Sequence, residues 1–184
     1  MYYFPTTFPG LFLIEPKIYG DDRGYFFESY QQAEFEKHIR KVEFVQDNES
    51  KSGYGVLRGL HFQKPPHAQA KLVRCISGSI LDVAVDLRSD SPTFKKSYSI
   101  ELSDQNKLQL FIPHGFAHGF VVLSEEAIFS YKVDNLYAPA YECGIRFDDP
   151  DLLIDWKLKK EELKLSGKDL ILPYLSETGF QLTM

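Results

Sequence analysis

The segment RGLHFQ (58–63) places an arginine, an imidazole and an amide close together, and Lys71 follows in QAKLVRC (69–75). A strand that only packs has no use for such a set, because burying Arg58 or Lys71 without a counter-charge is expensive. The economical chemistry is an anionic ligand held by the cations, beside a reacting centre served by His61, whose side chain titrates near neutrality. The run QDN (46–48) adds a carboxylate and two amides suited to hydroxyls or the edge of a base. Tyr131, between Ser130 and Lys132, offers a phenol as proton donor.

The five histidines are His38, His61, His67, His114 and His118. A metal cage on a β scaffold wants three or four converging ligands, commonly with an HxH pair on one strand. Here His61 is followed at i+2 by Gln63, and His114 and His118 flank a PHGFAH turn from which at most one points inward. No metal is expected. His38 falls in a charged helical run and His67 follows Pro65-Pro66 in a loop, so His61 and His118 remain the imidazoles of interest.

These side chains are carried by short runs of β-branched and aromatic residues broken by turn signals such as GDDRG, KSGYG, RSDSP and LSDQN. Candidate strands cover 11–19, 42–50, 55–63, 71–77, 79–88, 97–102, 108–113, 118–124 and 127–134. In SILDVAVDLR (79–88), Leu81, Val83, Val85 and Leu87 share one face, while Asp82, Ala84 and Asp86 share the other. Such a strand suits a sandwich or barrel whose second face lines a ligand cavity. Helical patterns are confined to 31–40 and 157–166, both short and charged. Many short strands with few helices predict an all-β, double-sheet jelly roll or small barrel with peripheral helices, as one domain over residues 1–184.

Composition narrows the partners. The hydrophobic and charged fractions, 43% and 26%, are those of a globular chain. A net charge of −5 argues against general nucleic-acid binding, which gains from a basic face. It leaves room for a small anion in a local basic pocket. Cys75 and Cys143 form no CxxC pair, no run approaches the length of a membrane span, and the N-terminal residues lack a signal-peptide pattern. A cytoplasmic location is expected.

The segments GDDRGYFFES (20–29), FVQDNES (44–50), RGLHFQ (58–63), QAKLVRC (69–75), DVAVDLR (82–88), FIPHGFAHGFVVLS (111–124), YKVDNLYAP (131–139) and LSGKD (165–169) resemble, in order and spacing, the dTDP-4-dehydrorhamnose 3,5-epimerases. The resemblance implies a cupin-type jelly roll without metal or other cofactor, acting as a homodimer. The implied isomerase reaction inverts C3 and C5 of dTDP-4-dehydro-6-deoxy-D-glucose by proton abstraction α to the C4 ketone and reprotonation from the opposite face. On that basis His61 is the general base, Asp169 holds its other nitrogen, Lys71 meets the C4 oxyanion and Tyr131 is the opposing acid.

The resemblance further implies that Arg58 and Lys168 face the diphosphate together with Arg23, which with Glu28 reaches the neighbouring subunit's site from the N-terminal strand. Gln46, Asn48, Glu28 and Glu142 would hydrogen-bond nucleotide or sugar, Asp47 would either join them or serve as a structural hydrogen-bond acceptor, His118 would lie by the sugar, and Tyr137 would stack on thymine. Leu136, Ala70 and His114 depart from common choices at their positions. Three alternatives stay open: an epimerase inverting C5 alone or acting on another nucleotide-linked 4-keto sugar, a non-catalytic sugar-binding jelly roll, and a metal-dependent cupin.

Overall fold

The structure, a computed structural model, describes residues 1–179 and 182. Among them two antiparallel sheets face one another. One contains, in spatial order, β1 (Tyr2–Pro5), β2 (Phe12–Glu15), β10 (Gln109–Ile112), β7 (Lys71–Ser77), β12 (Glu126–Val133) and β5 (Gln46–Gly53). The other contains β13 (Glu142–Gly144), β6 (Leu57–Gln63), β11 (Phe116–Val122), β8 (Ser79–Asp86) and β9 (Ser97–Ser103). A separate hairpin joins β3 (Tyr19–Asp21) to β4 (Gly24–Phe26). From β5 to β13 the chain crosses between the sheets at nearly every connection, the jelly-roll pattern that the strand spacing predicts.

Three apolar layers result. Between the sheets, Val73, Cys75, Leu110, Ile112 and Phe129 pack against Ile80, Ala84, Phe116, Phe120 and Val122. Behind the five-stranded sheet, Leu81, Val83 and Val85 are covered by Ile145, Phe147, Leu152 and Trp156 of the C-terminal segment. Behind the six-stranded sheet, Leu72 and Phe111 are covered by Phe35 of α1 (Gln32–His38) and by Val42. Strand β8 therefore keeps the predicted two-faced alternation with both faces buried.

Asp86 shares the inner face of β8 but does not serve the cavity. It is fully buried with Arg88, whose Nε and Nη2 donate to it at 2.8 and 2.7 Å, and Ser91 and Thr93 hydroxyls complete its shell at 2.6 and 2.7 Å.

The helical expectation over 31–40 matches α1, where Gln31 caps the Glu34 N–H. The expectation over 157–166 is not met: only a single 3-10 turn forms, at Lys160–Glu162. Leu158, Leu163 and Leu165 pack on the outer apolar layer, and Lys164 bridges to Val56 as a strand residue would. Tertiary contacts at a non-helical spacing override the helix-forming composition. Two further short helices follow, α2 (Gly167–Leu170) and α3 (Leu175–Thr178).

One irregularity governs the site. In the β6–β11 ladder His61 opposes His118 and Arg58 opposes Phe120, so three steps on β6 match two on β11. In a regular strand, residues three apart face opposite ways. The extra residue lets Arg58 and His61 both turn to the inner face, the re-aiming that a β-bulge provides. Gly59 makes it feasible: its φ is +131°, and a Cβ there would stand 2.6 Å from Gly119 Cα and 2.9 Å from His118 O. Gly59→Ala is expected to cost at least about 1–3 kcal/mol through overpacking, with a melting-temperature loss of about 2–4 °C per kcal/mol in a chain of this size. Thermal unfolding by circular dichroism checks this, and an unchanged midpoint would show that the two strands part without cost.

Candidate active site

Between the sheets, at the end bordered by α2, lies a cavity of about 550 Å³ lined by Arg58, His61, Lys71, His118, Tyr131 and Asp169, among others. Each polar wall residue is set by strand parity. From β6 come Arg58 and His61, made co-facial by the bulge. Strand β11 contributes His118, in register with His61. Lys71 and Tyr131 project from the opposite sheet, where Lys71 pairs with Val133 and Tyr131 with Val73. The imidazole and the phenol thus stand on opposing walls.

His61 Nε2 lies 2.7 Å from Asp169 Oδ1. His61 keeps 29% of its side chain exposed while Asp169 keeps 5%, so the ring opens on the cavity and its partner is sealed behind it. The carboxylate acceptor calls for the tautomer protonated at Nε2, which leaves the lone pair on Nδ1. Burial lowers the His61 pKa below its ordinary 6.5, outweighing the Asp169 carboxylate that raises it, with Lys71 adding to the lowering. The imidazole is therefore a neutral, available base at pH 7. Asp169 is presented by α2, where the Ser166 hydroxyl accepts its backbone N–H at 3.1 Å.

Lys71 lines the cavity half-buried, and burial pulls its ammonium down to about 8 against the Asp82 and Glu142 carboxylates. Its Nζ sits 5.9 Å from the Tyr131 ring centroid. Burial raises the Tyr131 pKa, with Arg58 opposing, so the phenol keeps its proton at neutral pH. A second imidazole–carboxylate pair lies deeper: His118 Nε2 is 2.8 Å from Asp82 Oδ2, and both side chains are almost fully buried. Among the described residues, Asp82 Oδ1 is the buried side-chain oxygen without a hydrogen bond. That leaves its charge to act on Lys71.

At the mouth, Glu142 Oε2 receives the Tyr137 hydroxyl at 2.6 Å and the Lys168 ammonium at 2.5 Å. Gln46 and Asn48 share the inner face of β5, and the Gln46 amide donates to Asn48 Oδ1 at 2.7 Å. Arg58 Nε donates to the Ser52 hydroxyl at 3.1 Å.

Several expected residues lie elsewhere. Asp47 alternates to the outer face of β5 and pairs with Lys132 at 2.8 Å, so its side chain does not reach the cavity of its own chain. Arg23 is exposed at the β3–β4 hairpin tip and bound to Asp21 at 2.5 Å, and Glu28 is exposed beyond the hairpin; neither lines the cavity. Gln63 braces the 134–138 loop, donating to the His67 and Leu136 carbonyls and accepting from the Ala138 N–H. Of the two histidines flanking the turn, His118 points inward with 7% side-chain exposure, and His114 points outward to Asp134 with 46%.

Ser50, Phe129 and Ser166 also line the cavity, beyond the residues the sequence motifs mark. The two-residue period running from Gln46 through Asn48 to Ser50 and Ser52 carries the signal for Ser50. No group of three His, Cys, Asp or Glu side chains among the described residues converges as metal ligands would. Another cavity, also about 550 Å³, is lined by Pro9, Pro65, Pro66 and Pro113 together with Arg40, Arg88 and His114, among others.

A sealed carboxylate on a neutral imidazole, a protonated phenol across the cavity and an ammonium on the phenol's wall form a set suited to enolising a carbon acid and delivering a proton from the other face. Comparison with known proteins agrees with this chemistry. The dTDP-4-dehydrorhamnose 3,5-epimerase family model matches residues 5–177. A dTDP-4-dehydrorhamnose 3,5-epimerase of Shigella flexneri is 54% identical over 166 residues, covering 90% of this chain and 91% of that one. The crystal structure of the enzyme of that name from Elizabethkingia anophelis superimposes with a TM-score of 0.94 at 52% identity, over 98% of this chain and 99% of the other. The Legionella pneumophila dTDP-6-deoxy-D-glucose-3,5-epimerase, solved in complex with dTDP-4-keto-L-rhamnose, gives 0.92 at 47% identity, over 96% and 94% of the two chains. The chain belongs to the dTDP-4-dehydrorhamnose 3,5-epimerase family.

Proposed function

We propose that the chain inverts C3 and C5 of dTDP-4-dehydro-6-deoxy-D-glucose, giving dTDP-4-dehydro-L-rhamnose, and that the 1–184 chain does so as one domain. The observation that carries this reading is the placement of His61 and Tyr131 on facing sheets with Lys71 beside them. His61 removes the proton α to the C4 ketone. Asp169 stabilises the imidazolium as it forms, and Lys71 holds the enolate oxygen. Tyr131 then protonates the same carbon from the other side, and repetition at the second α-carbon completes the double inversion. Because both α-carbons flank one ketone, one oxyanion contact serves both.

Binding follows from the charge at the mouth. Arg58 and Lys168 receive the diphosphate, while Gln46, Asn48, Glu142 and His118 order the sugar and nucleotide, and the exposed Tyr137 ring stacks on the base. A homodimer supplies the rest: the β3–β4 hairpin of one subunit brings Arg23 and Glu28 to the site of the other. What supports this is that both residues stand away from their own cavity, on a segment with Tyr19, Tyr25 and Phe26 exposed. Free Cys75 and Cys143 suit a reducing cytoplasm.

Three outcomes test these assignments. In heavy water the wild-type enzyme is expected to place deuterium at both C3 and C5. Label at a single carbon would replace the double epimerase with a mono-epimerase, and His61→Ala with undiminished exchange would remove His61 as base. Lys71→Met is expected to lower kcat by about 10²–10³, the loss that follows removal of one oxyanion contact.

The kcat/KM profile should be bell-shaped. Its acid limb lies below 6.5, where the depressed imidazole protonates, and its alkaline limb lies near 8, where the Lys71 ammonium is lost. A profile flat from pH 5 to 9 would contradict both roles. For the assembly, sedimentation at micromolar concentration should give a dimer and Arg23→Ala should raise KM; a monomer with full activity would defeat the shared site.

A further inference from the structure

The segment that presents Asp169 is a strap fastened at both ends. Before it, the Lys164 N–H donates to Gly55 O at 2.8 Å and Lys164 O accepts the Leu57 N–H at 3.0 Å. After it, Pro173 O accepts the Arg146 N–H at 3.0 Å, and the buried Leu175 donates its N–H to Asp149 Oδ2 at 2.6 Å. Between these points α2 has only four residues, too few to hold its shape by its own hydrogen bonds. Ile171, just past it, is 83% exposed. Some contact must set how deep the strap sits, because Asp169 serves His61 only at hydrogen-bond distance.

The ion pair from Lys168 to Glu142 is a poor candidate. Lys168 is more than half exposed, so the pair contributes little. Both partners also turn to the substrate in the function proposed above.

Gly144 offers a better one. It is the direct partner of His61 in the β6–β13 ladder, so a side chain there would stand beside the imidazole on the cavity face. A Cβ at that position would lie 2.6 Å from Leu172 Cδ2, 2.7 Å from Leu172 Cδ1 and 2.8 Å from the Leu60 carbonyl oxygen of β6. The Leu172 methyls occupy the place of the missing side chain. Within four residues the strap thus delivers two things to His61: the Asp169 carboxylate to the ring nitrogen, and the Leu172 methyls to the neighbouring cross-strand place.

We propose that Leu172, seated in the notch at Gly144, is a positioning residue that sets the depth of the strap and holds Asp169 against His61. The proposal rests on the reading of His61 and Asp169 as base and partner. Neither Leu172 nor Gly144 takes part in proton transfer; each acts through Asp169.

The test is a double-mutant cycle. Leu172→Ala is compared in the wild-type and Asp169→Asn backgrounds, with kcat and KM for deuterium exchange and the ¹⁵N shifts of the His61 ring as readouts. In the wild-type background kcat is expected to fall about 10- to 100-fold, the scale of a misplacement of about 1 Å, with KM little changed. Nε2 should lose the signature of its bond to Asp169. In the Asp169→Asn background Leu172→Ala should cost nothing further, since coupled residues do not add.

Leu172→Met, which refills the notch, should restore kcat. Equal losses in both backgrounds, or an unchanged Nε2 signal in Leu172→Ala, would overturn the proposal. Should Leu172→Ala fail to fold, Leu172→Val makes the same comparison with a smaller change. An Asp169→Asn enzyme with wild-type kcat would instead defeat the dyad reading itself, so the two failures are separable.

Discussion

Charge buried between two sheets is the constraint from which the rest of this structure follows. Low-dielectric surroundings make an isolated ion very costly, so the buried charged groups of the cavity have partners placed for them. Arg58, which among the described residues has only the Ser52 hydroxyl, stays exposed. Asp169 has His61, Asp82 has His118, and Lys71 has the fields of Asp82 and Glu142. The same pairing tunes the chemistry. Burial keeps His61 neutral and Tyr131 protonated, and it brings Lys71 close to its titration point without discharging it at pH 7. At the remote end of β8, Asp86 and Arg88 solve the same problem by saturating one another, and no chemistry results.

A two-sheet sandwich suits inversion at carbon for a geometric reason. An acid and a base must address opposite faces of a planar enolate, and facing sheets hold side chains on opposite walls about the width of a core apart. Here β6 and β11 form one wall and β7 and β12 the other. The walls are rigid because the apolar layers behind both sheets pin them, one under the C-terminal segment and one under α1. The strap with Asp169 and the 134–142 loop are joined at the mouth through Glu142.

Much of the fold was legible because period-two patterning survives burial. Seven of the nine candidate strands overlap observed ones closely; that over 11–19 runs past β2, which ends at Glu15, and that over 42–50 starts too early, the ladder beginning at Gln46 and continuing to Gly53. The short β1, β3, β4 and β13, three or four residues each, are too brief to carry a periodic signal. The charged run at 157–166 misled, since its leucines answer to a neighbouring layer and not to a helical stripe. Asp47 was grouped with Gln46 and Asn48 as one motif, yet adjacent strand residues must face opposite ways, and it pairs with Lys132 outside.

The sequence by itself determined which groups were at hand: an imidazole, a phenol, an ammonium and a carboxylate in motifs spread from residue 58 to 169, on strands whose alternation marks their apolar faces. Their convergence was a tertiary matter. Arg58 and His61, three apart, belong on opposite faces of any regular strand, and only the bulge against β11, with Gly59 at positive φ, turns both inward. Asp169 lies 108 residues beyond His61 and reaches it because its strap is moored to β6, to β13 and to the segment just after β13. Local periodicity is written in neighbouring residues, but bulge register and strap depth depend on contacts between distant ones, and those exist only once the sheets have closed.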